Sequence, residues 1–155
     1  MVELFPVDRK NMKWYDAFDR AYEEYLKEYM SRIRPNHFEQ FMALTTAGFL
    51  IWDYILFEKR PVGSVWLERE TSEAKMAKLG IFITQESCRG KHLGEEAIRL
   101  ACESGQRALG INSVELNVRP MNVRAIRCYR KCGFDEIDHF VKPNGVEVIR
   151  MRKKL

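Results

Sequence analysis

The sequence predicts a single mixed α/β (α+β) domain over residues 1–155, with the element order β-α-α-β-β-β-α-β-α-β-β. The length of 155 residues suffices for one domain with a buried core. The hydrophobic share of 46% and the charged share of 31% are those of an ordinary globular protein. Apolar residues switch between helical and strand spacing along the chain, without an internal repeat, a low-complexity segment or a linker.

The first half of the chain begins with a short strand, "VELFPV". In the segment that follows, apolar residues recur every four positions and indicate a helix; they are Trp14, Phe18, Tyr22 and Leu26. Pro35 interrupts this helix, and "HFEQFMAL" predicts a shorter second one. After Gly48, "FLIWDYILF" and "VGSVWLERE" are rich in β-branched and aromatic residues and predict two strands. The intervening "EKRPVG", with Pro61 and Gly63, predicts a hairpin turn.

The second half begins with a further predicted strand, "AKMAKLGIFIT". A basic loop leads to a helix from about Gly94 to Leu109, which Gly110 should terminate. "NSVELNV" predicts the fifth strand, and "NVRAIRCYRKCGF" a helix that Gly133 stops. "EIDHFV" and "VEVIRMR" predict a closing hairpin around Pro143-Asn144-Gly145.

Charge and composition argue against several classes of protein. The 26 basic and 22 acidic residues leave a net charge of +4, which is too mild for a nucleic-acid binder. No apolar run is long enough to cross a membrane, and the N-terminus lacks a signal pattern, so we expect a cytoplasmic protein. Cys128 and Cys132 share a helix face, but no Cys-x-x-Cys motif or histidine pair completes a site, so no metal is expected.

The loop "RGKHLG" between a predicted strand and a predicted helix indicates an anion site. Backbone N–H groups at a helix start are unpaired, and the helix dipole adds positive charge, so phosphate is the natural ligand. Arg89 and Lys91 add formal charge, and Gly94 allows the backbone to approach the ligand closely. Neither a Walker loop nor a Rossmann fingerprint matches this stretch.

Two motifs in the right order resemble the GNAT-type N-acetyltransferase family. Arg89 and Gly94 fit its pyrophosphate loop, Arg/Gln-x-x-Gly-x-Gly/Ala, in which His92 stands at the middle glycine. The helix "NVRAIRCYRKCGF" fits the Asn-x-x-Ala-x-x-x-Tyr-x-x-x-Gly-Phe pattern with Asn122, Ala125, Tyr129, Gly133 and Phe134. Together with the order of elements, the resemblance covers essentially the whole chain. It implies a mixed, mostly antiparallel twisted sheet flanked by helices.

The resemblance implies acetyl-coenzyme A (acetyl-CoA) as cosubstrate and direct transfer of the acetyl group to a primary amine. The pyrophosphate of acetyl-CoA would lie on the loop and the start of the helix. These are formed by Arg89, Gly90, Lys91, His92, Leu93, Gly94 and Glu95. The pantetheine arm would pair with the backbone of Ile81, Phe82 and Ile83, in a gap between the fourth and fifth strands. Asn122 would bond the arm, and the Tyr129 hydroxyl would protonate the departing thiolate.

The general base is where the sequence departs from the family. Lys78 and Asn117 stand at the positions where members usually carry a glutamate. Glu115 shares a strand face with Asn117 and is one candidate, beside Glu68 and Glu70. Each of these carboxylates is also typical of a solvated surface charge, and ordered water held by Asn117 is an equal alternative.

Three further points stay open in the sequence. The His92 side chain either points to solvent or adds a donor to the pyrophosphate site. Aromatic and acidic residues of the first two helices favour a cationic acceptor: a small-molecule amine, or an N-terminal or side-chain amine of a peptide or protein. The resemblance allows a homodimer. A non-catalytic acyl-CoA-binding sensor is the alternative function, because the usual glutamate is absent.

Overall fold

The computed structural model of the chain describes residues 1–11, 14, 38–83 and 92–155. The strands in these ranges are β1 (Val2–Pro6), β2 (Leu50–Phe57), β3 (Arg60–Glu68), β4 (Met76–Ile83), β5 (Ser113–Val118), β6 (Asp135–Val141) and β7 (Glu147–Lys154). The helices are α1 (Phe38–Thr46), α2 (Leu93–Leu109) and α3 (Val123–Lys131), with a 3-10 turn at Arg9–Asn11. The predicted order agrees wherever it is described. The first predicted helix, apart from Trp14, lies outside the described residues.

The strands form one sheet in the order β1-β2-β3-β4-β5-β7-β6. Neighbouring strands are antiparallel except for β4 and β5, which are parallel. The predicted class, a mostly antiparallel mixed sheet flanked by helices, is therefore confirmed.

The two faces of the sheet carry different cores, because successive side chains of a strand point to opposite sides. On one face, α2 and α3 pack over an aliphatic cluster that includes Ile55, Val65, Leu79, Val114, Leu116 and Met151. On the other face, an aromatic cluster of Trp52, Tyr54, Trp66 and Phe82 packs against Met42 and Leu44 of α1. We call these the helical face and the aromatic face.

The hairpin between β2 and β3 turns earlier than predicted. Glu58 and Lys59 form the turn with φ of 49° and 66°, as a two-residue hairpin requires. Pro61 and Gly63 lie within β3, contrary to the prediction. Strand β3 tolerates Pro61, which lacks an N–H, because the ladder with β2 shifts register between Ile55 and Leu56.

Glycines end two elements as predicted. Gly110 follows α2 with a φ of 67°, and its N–H donates to the Gln106 carbonyl at 3.2 Å. Gly133 follows α3 with a φ of 95°. Such left-handed conformations suit glycine and stop a helix within one residue.

Candidate functional site

A gap opens between β4 and β5, as the resemblance implied. The two strands pair only at Met76–Ser113, Ala77–Val114 and Lys78–Glu115. Beyond Lys78, β4 continues to Ile83 and stays paired with β3 on its other edge. Strand β5 pairs with β7 on its own far edge, from Ser113 to Val118. The β4 edge that faces β5 is thus open to an extended ligand that can bond a strand backbone.

The three strand residues predicted to hold the pantetheine arm lie on the open part of β4. Ile81 and Ile83 pack at the border of the aliphatic cluster on the helical face. Phe82 points to the aromatic face and is only 4% exposed. Their side chains are therefore used for packing, which leaves the backbone as the part that can face the gap.

The start of α2 lies next to the end of β4 and presents free backbone donors. His92 precedes the helix with φ 61° and ψ 17°, the left-handed conformation favoured by the glycine it replaces. Its side chain is exposed and makes no capping bond; its Nδ1 lies 3.1 Å from Glu95 Oε1. Within the described residues, no acceptor meets the N–H groups of Leu93, Gly94 and Glu95. This geometry fits an anion.

Gly94 faces the protein interior. A Cβ at this position would lie 3.4 Å from Cys128 Sγ of α3 and 3.9 Å from Ile83 Cδ1 of β4. Gly94 thereby sets how closely α2 packs on its neighbours; its role toward a ligand stays a prediction. The predicted loop residues Arg89, Gly90 and Lys91 lie outside the described residues.

The Glu95 carboxylate lies beside this anion site and is partly neutralised. Besides His92, the Lys131 ammonium approaches Glu95 Oε1 at 3.7 Å. A negative charge in the first helical turn is favourable for the helix itself, although it opposes a bound anion. The neighbouring cation reduces that opposition.

Asn122 has a structural role that the sequence analysis missed. Its Oδ1 accepts the Ala125 N–H at 3.3 Å and so caps α3. The signal was present in the sequence, because asparagine directly before a helix is a preferred N-cap. With the oxygen engaged, the amide NH₂ is the part of Asn122 available to a ligand.

Tyr129 lies on α3 and packs on the helical face of the sheet. It is 8% exposed and belongs to the aliphatic cluster together with Leu116 and Val118 of β5. Its ring packs edge-on against Phe134, with the centroids 6.1 Å apart. The helix motif therefore positions both aromatic residues, while the chemical role of the phenol stays a prediction.

Glu115 and Asn117 lie on the opposite sheet face from Tyr129, because they alternate along β5 with Leu116 and Val118. The expectation that Glu115 is a solvated charge was wrong: it is 6% exposed. Its Oε2 accepts bonds from Arg152 Nη2 at 2.8 Å and Nε at 3.3 Å. The reason is the register of β5 with β7, which aligns Glu115 with Arg152.

Cysteine side chains add no metal centre to the part of the chain that the structure describes. Cys128 and Cys132 are half-buried free thiols, and a hydrogen bond from the Cys128 thiol lowers the pKa of the Cys132 thiol. In the described ranges, no group of three ligating side chains converges. Nor does any helix there combine the length and apolarity needed to span a bilayer.

Comparison with known proteins yields a family match over most of the chain. The model of the protein family described as "Acetyltransferase (GNAT) family" matches residues 11–134. The aminoglycoside N(6')-acetyltransferase type 1 of Klebsiella pneumoniae is 28% identical over 92 residues, which are 59% of this chain and 45% of that enzyme. The chain therefore matches about half the length of this relative.

Solved structures share the fold over nearly the whole chain. Mycobacterium smegmatis RimJ in complex with CoA-disulfide has a TM-score of 0.83 at 18% identity, covering 99% of this chain and 81% of that one. Spermidine N-acetyltransferase from Vibrio cholerae, in complex with CoA and spermine, has a TM-score of 0.77 at 18% identity, covering 99% and 95%. These likenesses concern architecture.

Proposed function

Because the chain belongs to the acetyltransferase (GNAT) family, we propose that it transfers the acetyl group of acetyl-CoA to a primary amine by direct attack. The observation that carries this proposal is the open edge of β4 leading to the uncapped start of α2. An extended, amide-bearing ligand with a diphosphate at one end suits both features.

The residues proposed to hold the cosubstrate belong to β4, to the start of α2 and to the loop between them. The N–H groups of Leu93, Gly94 and Glu95 would bind the pyrophosphate, together with His92 and the predicted loop residues Arg89, Gly90 and Lys91. The backbone of Ile81, Phe82 and Ile83 would pair with the pantetheine arm. When bound, acetyl-CoA supplies the activated acetyl group, and a β4 N–H can donate to the carbonyl oxygen as that oxygen gains charge.

Tyr129 is the proposed acid. The phenol of Tyr129 can donate its proton to a leaving sulfur, and its position in the cluster beside β5 supports this role.

Asn117 is proposed to hold the water that removes the amine proton, from the other face of the sheet. Asn117 is half-buried next to the open part of β4. Glu115 is the neighbouring carboxylate on that face, but two donors of Arg152 already occupy its Oε2. Glu115 could take the proton itself only by weakening this ion pair.

The acceptor is proposed to be a small-molecule amine, as the names of the aminoglycoside and spermidine acetyltransferases suggest. Amines of peptides or proteins are the second class. The proposal extends to one catalytic domain over residues 1–155 working in the cytoplasm. A homodimer would use an edge strand, β1 or β6, or the β6–β7 hairpin.

The substitution Tyr129→Phe tests the proposal. Losing a general acid should lower kcat by about 100-fold, measured by thiol release with a panel of primary amines. The dissociation constant of coenzyme A, measured by calorimetry, should stay within about twofold, since packing with Phe134 is retained.

Tyr54→Phe is the matched control for this change. The Tyr54 hydroxyl donates to the Asn11 carbonyl at 3.1 Å on the aromatic face, so its loss should affect stability and leave kcat unchanged. Unchanged kcat in Tyr129→Phe would contradict the acid assignment. Coenzyme A binding by the unaltered protein without thiol release from any amine would favour the acyl-CoA sensor.

A further inference from the structure

We propose that Arg150 binds a carboxylate of the acceptor, so that the preferred substrates are amines that also carry a carboxylate, as amino acids do. This inference rests on the proposed function. It names the acceptor class for the same gap and differs from the polyamines and amino sugars in the names of the related enzymes.

The first argument is the position of Arg150. On β7, Arg150 is aligned with Asn117 of β5. The ladder between β4 and β5 ends at Lys78 and Glu115, so Asn117 borders the gap. Arg150 therefore stands one strand away from the gap, on the face proposed to receive the amine.

The second argument concerns the hydrogen bonds of the Arg150 guanidinium. Its Nε is buried and has no acceptor within the part of the chain that the structure describes. The nearest carboxylate oxygens there lie 3.8 Å from Nε, in Glu115, and 3.9 Å from Nη1, in Asp138. Both distances exceed a hydrogen bond. Buried donors are nearly always paired in proteins, and an unpaired one calls for an explanation such as a ligand.

The third argument is the contrast with Arg152, two residues along the same strand. Arg152 is aligned with Glu115 on one side and Asp135 on the other, and it donates two bonds to Glu115. Arg150 is aligned with Asp138 on the outer side but with the neutral Asn117 on the side of the gap. Its counter-charges are therefore more distant than that of Arg152, with Glu115 at 3.8 Å and Asp138 at 3.9 Å, and neither of them forms a hydrogen bond with it.

The geometry of the guanidinium favours a carboxylate. Its Cζ lies 4.8 Å from the centroid of the Phe140 ring, so one face of the plane is supported by an aromatic side chain. The side chain as a whole is 33% exposed whereas Nε is buried, so the two Nη groups are the part that a ligand can reach. A guanidinium held in this way presents two parallel donors that match the two oxygens of a carboxylate.

Pairs of amines that differ only by a carboxylate provide the test. Suitable pairs are lysine with 1,5-diaminopentane and ornithine with 1,4-diaminobutane. For the unaltered protein, kcat/KM should be about tenfold or more higher for the amino acid of each pair, since a charge-assisted bond is gained.

Variants of Arg150 and Arg152 show which residue causes the preference for the amino acid over the diamine. Arg150→Gln should lower kcat/KM for the amino acids about tenfold, mainly through KM, and leave the diamines within about twofold. Arg150→Lys should restore part of the loss. Arg152→Gln is the matched control, because it removes the same charge from the same strand and should affect both members of each pair alike.

Direct binding separates this inference from the proposed function. If the protein binds coenzyme A but transfers no acetyl group, calorimetry of lysine against the coenzyme A complex still tests Arg150. Binding that Arg150→Gln weakens about tenfold supports the inference. A preference for the diamines, a preference that survives Arg150→Gln, or an absence of lysine binding at millimolar concentration would overturn it.

Discussion

Two buried carboxylates show how differently the two halves of the sheet are built. Asp53 on β2 and Glu115 on β5 are each 6% exposed. Asp53 points to the helical face, and within the described ranges its side chain has no hydrogen bond or ion pair; burial raises its pKa to about 6. Glu115 is bonded to Arg152 and approached by Arg150. The same degree of burial is therefore accompanied by a raised pKa in one half and by pairing with arginine in the other.

The gap lies where these two kinds of packing meet. On the aromatic face of β2–β4, Trp52 donates to Ser64 Oγ at 2.8 Å, and the indole of Trp66 covers Gly80. On the same face of the sheet beyond the gap, the side chains are Glu115, Asn117, Arg150 and Arg152. One side of the gap is thus mainly apolar and closely packed, and the other offers charge and hydrogen bonds, which suits the binding of a ligand and chemistry on an amine.

The largest change in the free energy of unfolding is expected from Gly80→Ala, which disturbs the packing of the apolar half of the sheet. The added Cβ would lie 2.0–2.3 Å from three atoms of the Trp66 indole, which is 2% exposed and cannot move aside freely. We expect the free energy of unfolding to fall by about 3 kcal/mol in urea denaturation.

Gly94→Ala is the control for this substitution. Its Cβ meets no atom closer than 3.4 Å, an ordinary contact, so stability should change by less than about 1 kcal/mol. Equal stability of the two variants would show that the packing of Trp66 on Gly80 is not what holds this half together.

The next largest change in the free energy of unfolding is expected from Asp53→Asn, and this change is an increase. The pKa of Asp53 in the folded protein, about 6, lies above its ordinary value of 3.8, so ionisation is penalised in the native state and wild-type stability falls as pH rises through about 6. The amide does not ionise. The variant should therefore be more stable by roughly 2–3 kcal/mol at pH 8, and the gain should vanish below about pH 4.

Thermal unfolding at several pH values measures this prediction. Asp135→Asn, at an exposed position of β6, is the control and should change stability by less than about 0.5 kcal/mol at each pH. If the gain in stability of Asp53→Asn did not depend on pH, ionisation of Asp53 would not be its cause.

The smallest of the three effects is expected from Glu115→Gln. The variant removes the carboxylate from Arg152, whose side chain is 47% exposed and can be partly rehydrated. We expect a loss of about 1–2 kcal/mol. In the double variant with Arg152→Gln, the loss should be smaller than the sum of the single losses, because the two residues interact. Strictly additive losses would argue against the pairing of these side chains.

Much of the local structure around the candidate site could be predicted from local sequence patterns. The stops at Gly110 and Gly133 depend only on the backbone of a single residue. The helix motif that carries Asn122 and Tyr129 is also local, although the capping bond of Asn122 was missed. The prediction for "EKRPVG" failed because the register shift opposite Pro61 depends on another strand.

The sequence by itself determined the strands and helices that the structure describes, the helix stops at Gly110 and Gly133 and the two motifs, because helical spacing, strand alternation and glycine conformation act within a few residues. Only the tertiary structure decided that Glu115 is paired with Arg152 and that the buried Nε of Arg150 has no hydrogen bond among the described residues. Those features depend on strand register between residues far apart in the chain, such as Glu115 and Arg152, which are 37 positions apart. No local pattern encodes such a register, since it follows from the packing of the whole sheet.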